Sequence, residues 1–265
     1  MTLGVYRRLV GARIRSQFQY RLSFALNFVG MALITFLDFA AILVLFSRID
    51  ALGTWTVEEV ALLYGISCVA FALTDLTIGH LDLLPNMIRE GEFDLVLIRP
   101  LGSLFQVVSR DFALRRLGKL LQGLAVLAFA VGRLELDWTA QRTGMLVLAI
   151  VSGAAIFAGV WVGLSTIAFW LIDSLEVANA FSYGGNYLAQ YPVNIFGPWL
   201  RRLVIFLIPI AFVSYFPSLY VLGKEDPLGL PRALQFGSPL VAAACVLAGA
   251  LMWRFAVRRY RSVGA

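Results

Sequence analysis

Two aspartates, Asp38 and Asp75, stand inside long apolar runs of the chain. A carboxylate within a membrane-spanning helix is costly, and it usually faces a bundle interior or a water-filled cavity, where it serves transport or a proton-coupled step. The alternative is a protonated or paired side chain that is satisfied between helices. Neither run contains a lysine or an arginine, and the sequence leaves both interpretations open.

Motifs for enzyme chemistry are absent from the sequence. His80 is the single histidine, which excludes an HExxH zinc site, and there is no GxSxG nucleophile elbow. The chain also lacks a GxxxxGK[ST] phosphate loop, so it does not bind ATP by that route. Cys68 and Cys245 lie in apolar runs without metal-ligand or disulfide spacing. We therefore expect no catalytic residue, no metal and no cofactor in this chain.

The composition indicates an integral membrane protein. Of the 265 residues, 60% are hydrophobic and 14% are charged, whereas a soluble domain carries about 25% charged residues. A membrane-spanning helix needs about 20 mostly apolar residues. The apolar runs predict an all-α membrane protein with six transmembrane helices, at 22–46, 60–84, 117–132, 143–172, from 203 onward and at 233–257. Together 1–265 form one domain, with the spans paired in 22–84, 117–172 and 203–257.

The segments between the spans also have recognisable patterns. The arginine-rich and amphipathic residues 1–21 predict an interfacial helix. Residues 85–116 are polar and predict a cytoplasmic coupling segment, whereas 173–202 contains glycines and prolines and predicts a broken cytoplasmic connector. Prolines between the fifth and sixth spans predict a re-entrant segment before the last helix.

The distribution of basic residues predicts the orientation. Six spans place both termini on one side of the membrane, and that side carries 17 of the 22 lysines and arginines. Because cytoplasmic loops are enriched in Lys and Arg, we expect both termini to be cytoplasmic in a multi-pass protein of the cell's cytoplasmic membrane. Basic loops of this kind contact anionic lipid, and the net charge of +6 needs no nucleic-acid partner to explain it.

Residues 86–104, NMIREGEFDLVLIRPLGSL, form what we call the docking segment. Its charged centre contains a glycine break and is followed by the apolar run 95–98 and then by Arg99 and Pro100. A solvated loop would not need that apolar run. The pattern predicts a short amphipathic helix that is held against the membrane and presents charge to a cytosolic partner.

Two strings in the sequence resemble one known family. IREGEFDLVLIRPL resembles the signature of permease subunits of ABC-2 type exporters, and YPVNIFGPWLRRLVIFLIPIAFVSYFPSLYVLG at 191–223 resembles the same family. The resemblance covers essentially the whole chain. It implies a second permease, identical or related, and two ATPase subunits that bind ATP and Mg. It also implies that the docking segment is a coupling helix, whose contact residues would be Ile88, Arg89, Glu90, Gly91, Glu92, Asp94, Arg99 and Pro100.

The resemblance further implies a cavity between two permeases, with walls from the first, second and fifth spans. Asn27, Asp38 and Asp75 are the polar candidates on those walls. A mostly apolar bundle favours a hydrophobic or amphipathic substrate, such as a drug, a lipid or a lipid-linked glycan. The alternative is an ion-coupled secondary transporter that uses Asp38 or Asp75, although the internal repeats typical of that class are not readable here. A non-transporting membrane assembly protein is a third possibility.

Overall fold

The computed structural model describes residues 21–110, 116–171 and 175–262. The predicted interfacial helix at 1–21 therefore lies almost wholly outside the described residues. The structure is 78% helical, and the described residues contain no strand. The predicted all-α class is confirmed.

Eleven α-helices are defined in the described part of the chain, with short 3-10 segments and one π-helical segment between them. A 3-10 segment, Gly79–Leu83, joins α2 to α3, and another, Thr166–Phe169, extends α7. The π-helical segment is Leu203–Leu207. The helices are α1 Arg21–Phe46, α2 Val57–Ile78, α3 Leu84–Arg89, α4 Glu92–Leu97, α5 Ser103–Val108, α6 Leu117–Arg133, α7 Ala140–Ser165, α8 Leu175–Ala189, α9 Pro198–Arg202, α10 Tyr215–Leu222 and α11 Ser238–Arg259.

Three helical stretches among the described residues are long and apolar enough to cross a membrane. They are Val57–Arg89, Ala140–Phe169 and Ser238–Arg259. A fourth candidate is the pair Pro198–Leu207 and Ile210–Leu222, which is bent by 70° and is either a broken span or a re-entrant loop. The chain is thus an integral membrane protein with three to four candidate spans, and the count of six stays a prediction.

The main difference from the sequence-based expectation concerns 173–202. Its first half forms the 15-residue helix α8, and the chain is broken only after this helix, at Pro192 and Gly197. Gly185 looks like a helix breaker in the sequence, but it lets Ile210 approach, because a Cβ at this position would lie 2.8 Å from Ile210 Cδ1. The Ser67 hydroxyl donates to the buried Asn186 side chain over 3.1 Å, so α8 lies along the middle of α2.

The chain from Leu203 is not one straight helix, and the prolines of this stretch predicted such an interruption. It bends at 208–209, where Pro209 has no N–H to continue a helical ladder. The helix α10 then ends at Gly223, which has a φ of +67°. Pro209 is one of the prolines that predicted an interruption of this stretch, and the bend lies at this residue.

The core is centred on α2, most of whose side chains are buried. Helices α6, α7 and α8 surround it, and α11 packs on the far side of α7. At that outer contact the two helices approach closely, because Gly159 and Gly249 have no Cβ to separate the backbones. The arrangement leaves the docking segment at one end of the bundle, below α2, α7 and α11.

Candidate functional site

The docking segment folds into two short helices joined by a glycine elbow. The helix α3 ends at Arg89, and Gly91 has a φ of +70°, a left-handed conformation that favours glycine, before α4 begins at Glu92. Apart from the two neighbouring residues, no atom of the described residues lies within 4 Å of where a Cβ of Gly91 would be. This glycine is therefore required by the backbone turn rather than by close packing.

Buried aromatic rings hold the elbow against the bundle. Phe93 is fully buried, and its ring lies 5.1 Å from that of Phe169 and 5.1 Å from that of Tyr260. Trp253 of α11 completes the cluster, at 6.4 Å from Phe93. Ile88 is also buried, so its side chain packs inside the protein and is not available to a partner.

Hydrogen bonds tie the docking segment to its surroundings. Trp253 Nε1 donates to Ser103 Oγ over 3.1 Å, and Ser262 Oγ donates to Asp94 Oδ2 over 2.5 Å. Gln106 Nε2 donates to the carbonyls of Val96 and Leu101 and so closes the turn between α4 and α5. Asp94, one of the predicted contact residues, thus accepts a hydrogen bond from its own chain at the protein surface.

A surface ion pair fixes the start of α4. Arg110 Nη1 lies 2.6 Å from Glu92 Oε2, and both side chains are partly exposed. The hydrogen bond from Arg110 lowers the pKa of Glu92, because it stabilises the charged carboxylate. Glu92 is therefore ionised at neutral pH.

The outer surface of the docking segment combines charge with exposed apolar side chains. Arg89, Glu90, Arg99 and Pro100 are exposed, and Ile98 has 79% of its surface accessible. Between α4 and α5 lies a cavity of about 350 Å³, lined by apolar and charged residues that include Leu95, Arg99, Leu101, Phe105 and Arg110. A surface of this kind suits a protein partner, because apolar anchors surrounded by charged groups are typical of interfaces.

Asp75 has a basic partner that the sequence pattern did not reveal. Arg116 precedes α6, and its Nε lies 3.3 Å from Asp75 Oδ1, while its Nη1 donates to the Asp75 carbonyl over 2.7 Å. Both side chains are largely buried. Gly79 makes room for the pair, because a Cβ there would collide with the carboxylate and the guanidinium. The structure therefore supports the interpretation of Asp75 as a paired side chain between helices.

Asp38 has a more accessible environment than Asp75. It lies on α1 and is half-buried, and Tyr187 of α8 donates to its Oδ2 over a long 3.4 Å. Among the described residues no Lys or Arg lies within ion-pair distance of it. Asn27 also belongs to α1, but its side chain lies outside the described residues.

The sequence reasoning missed a junction at Asp82. Its carboxylate accepts a hydrogen bond from Trp161 Nε1 and another from the Tyr183 hydroxyl, each over 3.1 Å. It thereby joins the end of the second span to α7 and α8. The partners are 79 and 101 residues away in the chain, so no local spacing could have indicated them.

A comparison with protein families identifies what kind of membrane protein carries this segment. A family model described as ABC-2 family transporter protein matches residues 32–264. The chain belongs to this family. Members are membrane permease components of ABC transporters, they have no nucleotide-binding domain, and they work with ABC ATPase subunits. Searches of curated proteins and of solved structures found no significant match.

Proposed function

We propose that this chain is the permease subunit of an ABC exporter in the cytoplasmic membrane. It pairs with a second permease, identical or related, and with two ATPase subunits that bind ATP and Mg. The single observation that carries the proposal is the docking segment, whose outer surface is exposed while its inner surface is fixed to the ends of α7 and α11. The ABC-2 family membership supports the same assignment.

The proposed topology has six spans. To α2, α7 and α11 we add α1, α6 and α8, which are helical over 26, 17 and 15 residues. On this assignment the fifth span is α8, and the bent pair after it is a re-entrant segment on the outer side. Arg201 and Arg202 then lie on the outer side, and the side of both termini and the docking segment still carries 15 of the 22 lysines and arginines, so the positive-inside rule assigns that side to the cytoplasm.

The contacts of Phe93 provide a route for coupling. Closure of the ATPases on ATP would push on α4, and the buried Phe93 ring passes this force to Phe169 below α7 and to Trp253 of α11. Coupling requires that nucleotide state and substrate access each favour one arrangement of the same bundle. A rigid aromatic cluster is suited to this, because close-packed side chains transmit displacement with little compression.

The pathway that we propose runs along α1, α2 and α8. Asp38 and Tyr187 supply polar groups there, with Asn27 on the same helix as Asp38, and Asp75 acts through its pair with Arg116. The surrounding surface of α1 is apolar and exposed, which favours a hydrophobic or amphipathic substrate such as a drug, a lipid or a lipid-linked glycan. The alternative, an ion-coupled secondary transporter, needs a free carboxylate within the membrane. Because Asp75 is paired with Arg116, only Asp38 is left for that role.

Copurification of the ATPase tests the proposal. We would tag the full chain, extract it gently and compare the native protein with a Glu90→Arg plus Ile98→Glu variant, which changes exposed side chains of the docking segment. The matched control is Glu135→Arg, since Glu135 is exposed in the loop at the opposite end of the bundle. We expect the ATPase to copurify with the native and control chains and to be lost from the variant. Absence of an ATPase from the native chain would refute the proposal.

A further inference from the structure

A second surface near the docking segment combines arginines with aromatic rings. A cleft of about 700 Å³ lies where α7 and α11 end, and its lining contains no acidic side chain. The three arginines are exposed. The lining consists of Phe169, Trp170, Arg258, Arg259, Tyr260 and Arg261.

The chemistry of this cleft favours a phosphate group. A guanidinium donates paired hydrogen bonds that match phosphate oxygens. Within the described part of the chain, none of the three arginines forms an ion pair with a carboxylate. Arg259 instead lies over the Phe255 ring, with 4.4 Å between its Cζ and the ring centroid. Three positive charges therefore line one cleft, and none of them is paired with a carboxylate of the described residues.

An apolar surface leads directly to these arginines. The helix α11 is the least buried of the three candidate spans. Of its most apolar 18 residues 22% are buried, whereas the value for the span that contains α2 is 83%. Leu247, Leu251 and Phe255 recur on α11 at four-residue spacing and are all exposed. Trp170 is also exposed, with its ring 6.2 Å from that of Phe255. Tryptophan at such a junction is typical of a membrane interface.

We propose that this cleft is a binding site for one phospholipid with an anionic headgroup. The phosphate lies among Arg258, Arg259 and Arg261, and an acyl chain follows the apolar face of α11 past Phe255. A free phosphate would use the arginines and leave the apolar face bare. The cytoplasmic leaflet, where the proposed topology places this end of α11, is the leaflet rich in anionic lipid.

The site also contacts the residues that hold the docking segment. Phe169 and Tyr260 both line the cleft, and both rings also pack against Phe93. A bound lipid therefore stabilises the aromatic cluster and, through it, α4. This consequence rests on the proposed function, whereas binding of the lipid does not require an ATPase.

Native mass spectrometry of the purified full chain tests the binding site. Phosphatidylglycerol or phosphatidylcholine would be added to the native protein and to an Arg258→Gln, Arg259→Gln, Arg261→Gln variant. The control, Arg133→Gln, Arg142→Gln, Arg232→Gln, removes the same charge at the opposite end of the bundle. We expect one phosphatidylglycerol to be retained by the native and control chains, and about tenfold or more weaker retention by the variant, since each arginine contributes to attraction of an anionic surface.

Three outcomes would overturn the lipid assignment. They are equal retention of phosphatidylglycerol by native and variant chains, equal retention of phosphatidylcholine and phosphatidylglycerol by the native chain, and stabilisation by soluble glycerol phosphate as strong as that by the lipid. A Trp170→Ala variant changes an exposed ring and leaves the arginines in place. It should weaken retention of the lipid and leave any effect of soluble glycerol phosphate unchanged. If the arginine variant keeps its lipid but loses the ATPase, the arginines contact the ATPase and the lipid site is refuted.

Discussion

The rings of Phe93 and Tyr260 lie 5.1 Å apart and nearly perpendicular, at 79°. Phe93 belongs to the docking segment, whereas Tyr260 directly follows the last helix, so this contact joins two parts of the chain that are 167 residues apart. Edge-to-face packing of this kind contributes about 0.5–1.5 kcal/mol beyond the burial of the rings. The docking segment is thus fixed to the end of α11 as well as to α2, from which it continues.

Loss of the Phe93 ring should separate the docking segment from the bundle. In Phe93→Ala we expect a cavity that costs about 3–5 kcal/mol, and weaker coupling of ATP hydrolysis to transport. Thermal unfolding and substrate-stimulated ATPase activity of the reconstituted complex would measure the two effects. Phe93→Leu, which keeps most of the apolar volume, should be milder in both. Equal behaviour of Phe93→Ala and the native chain would show that the cluster transmits nothing.

A methyl group at Gly79 should displace the Asp75 and Arg116 pair. In Gly79→Ala the added Cβ collides with both side chains, which leaves buried charges without their partner at a cost of several kcal/mol. We expect a clear fall in the unfolding temperature in detergent. The control is Gly144→Ala on α7, where the added Cβ would meet no described atom within 4 Å beyond the neighbouring residues and the backbone of its own helix. An unchanged unfolding temperature for Gly79→Ala would contradict the pairing.

Asp38 should affect transport without affecting assembly. It is half-buried on α1 and its described hydrogen bond, from Tyr187, is long at 3.4 Å, so Asp38→Asn should fold normally. We expect lower transport in reconstituted vesicles together with unchanged copurification of the ATPase. Tyr187→Phe should reduce transport less, because it keeps the ring and the carboxylate. Native transport rates in Asp38→Asn would remove this residue from the pathway.

The charge on Glu92 should make the docking segment sensitive to acid. The pKa of Glu92 is lowered in the folded protein by Arg110, so its stabilising contribution is complete above the ordinary glutamate pKa and is lost as the pH falls through the lowered value. Stability curves of the native chain and Glu92→Gln, measured from neutral to acidic pH, should therefore converge at low pH. A constant difference between the curves at every pH would contradict this assignment.

Much of the architecture was predictable because long apolar runs need little context. The sequence located α2, α7 and α11, with each end within about seven residues of its observed position. It did not locate α8, because Gly185 and Asn186 resemble loop residues until Ile210 and Ser67 are seen to pack on them. Local patterns show which residues avoid water, whereas small and polar residues are explained only by their neighbours in the fold.

In the docking segment, too, some features were predictable from the local sequence and others depend on distant residues. Its position and its exposed charge were predictable, because charged residues beside an apolar run identify an amphipathic element. The burial of Ile88 and the bond from Ser262 to Asp94 were not, since α3 packs on the distant segment Thr166–Phe169 and Ser262 follows α11. Arg116 likewise became recognisable as the partner of Asp75 only when the fold brought together residues 41 positions apart.

Proximity of the docking segment to an ATPase is the central claim, and photo-crosslinking measures it directly. A photoreactive side chain would replace Ile98, which is 79% exposed, and, in a separate chain, Glu135 at the opposite end of the bundle. Irradiation of membranes followed by mass spectrometry would identify the crosslinked protein. We predict a crosslink from position 98 to an ABC ATPase subunit and none from position 135. A crosslink to that ATPase from position 135, or none from position 98 while the complex remains assembled, would contradict the account.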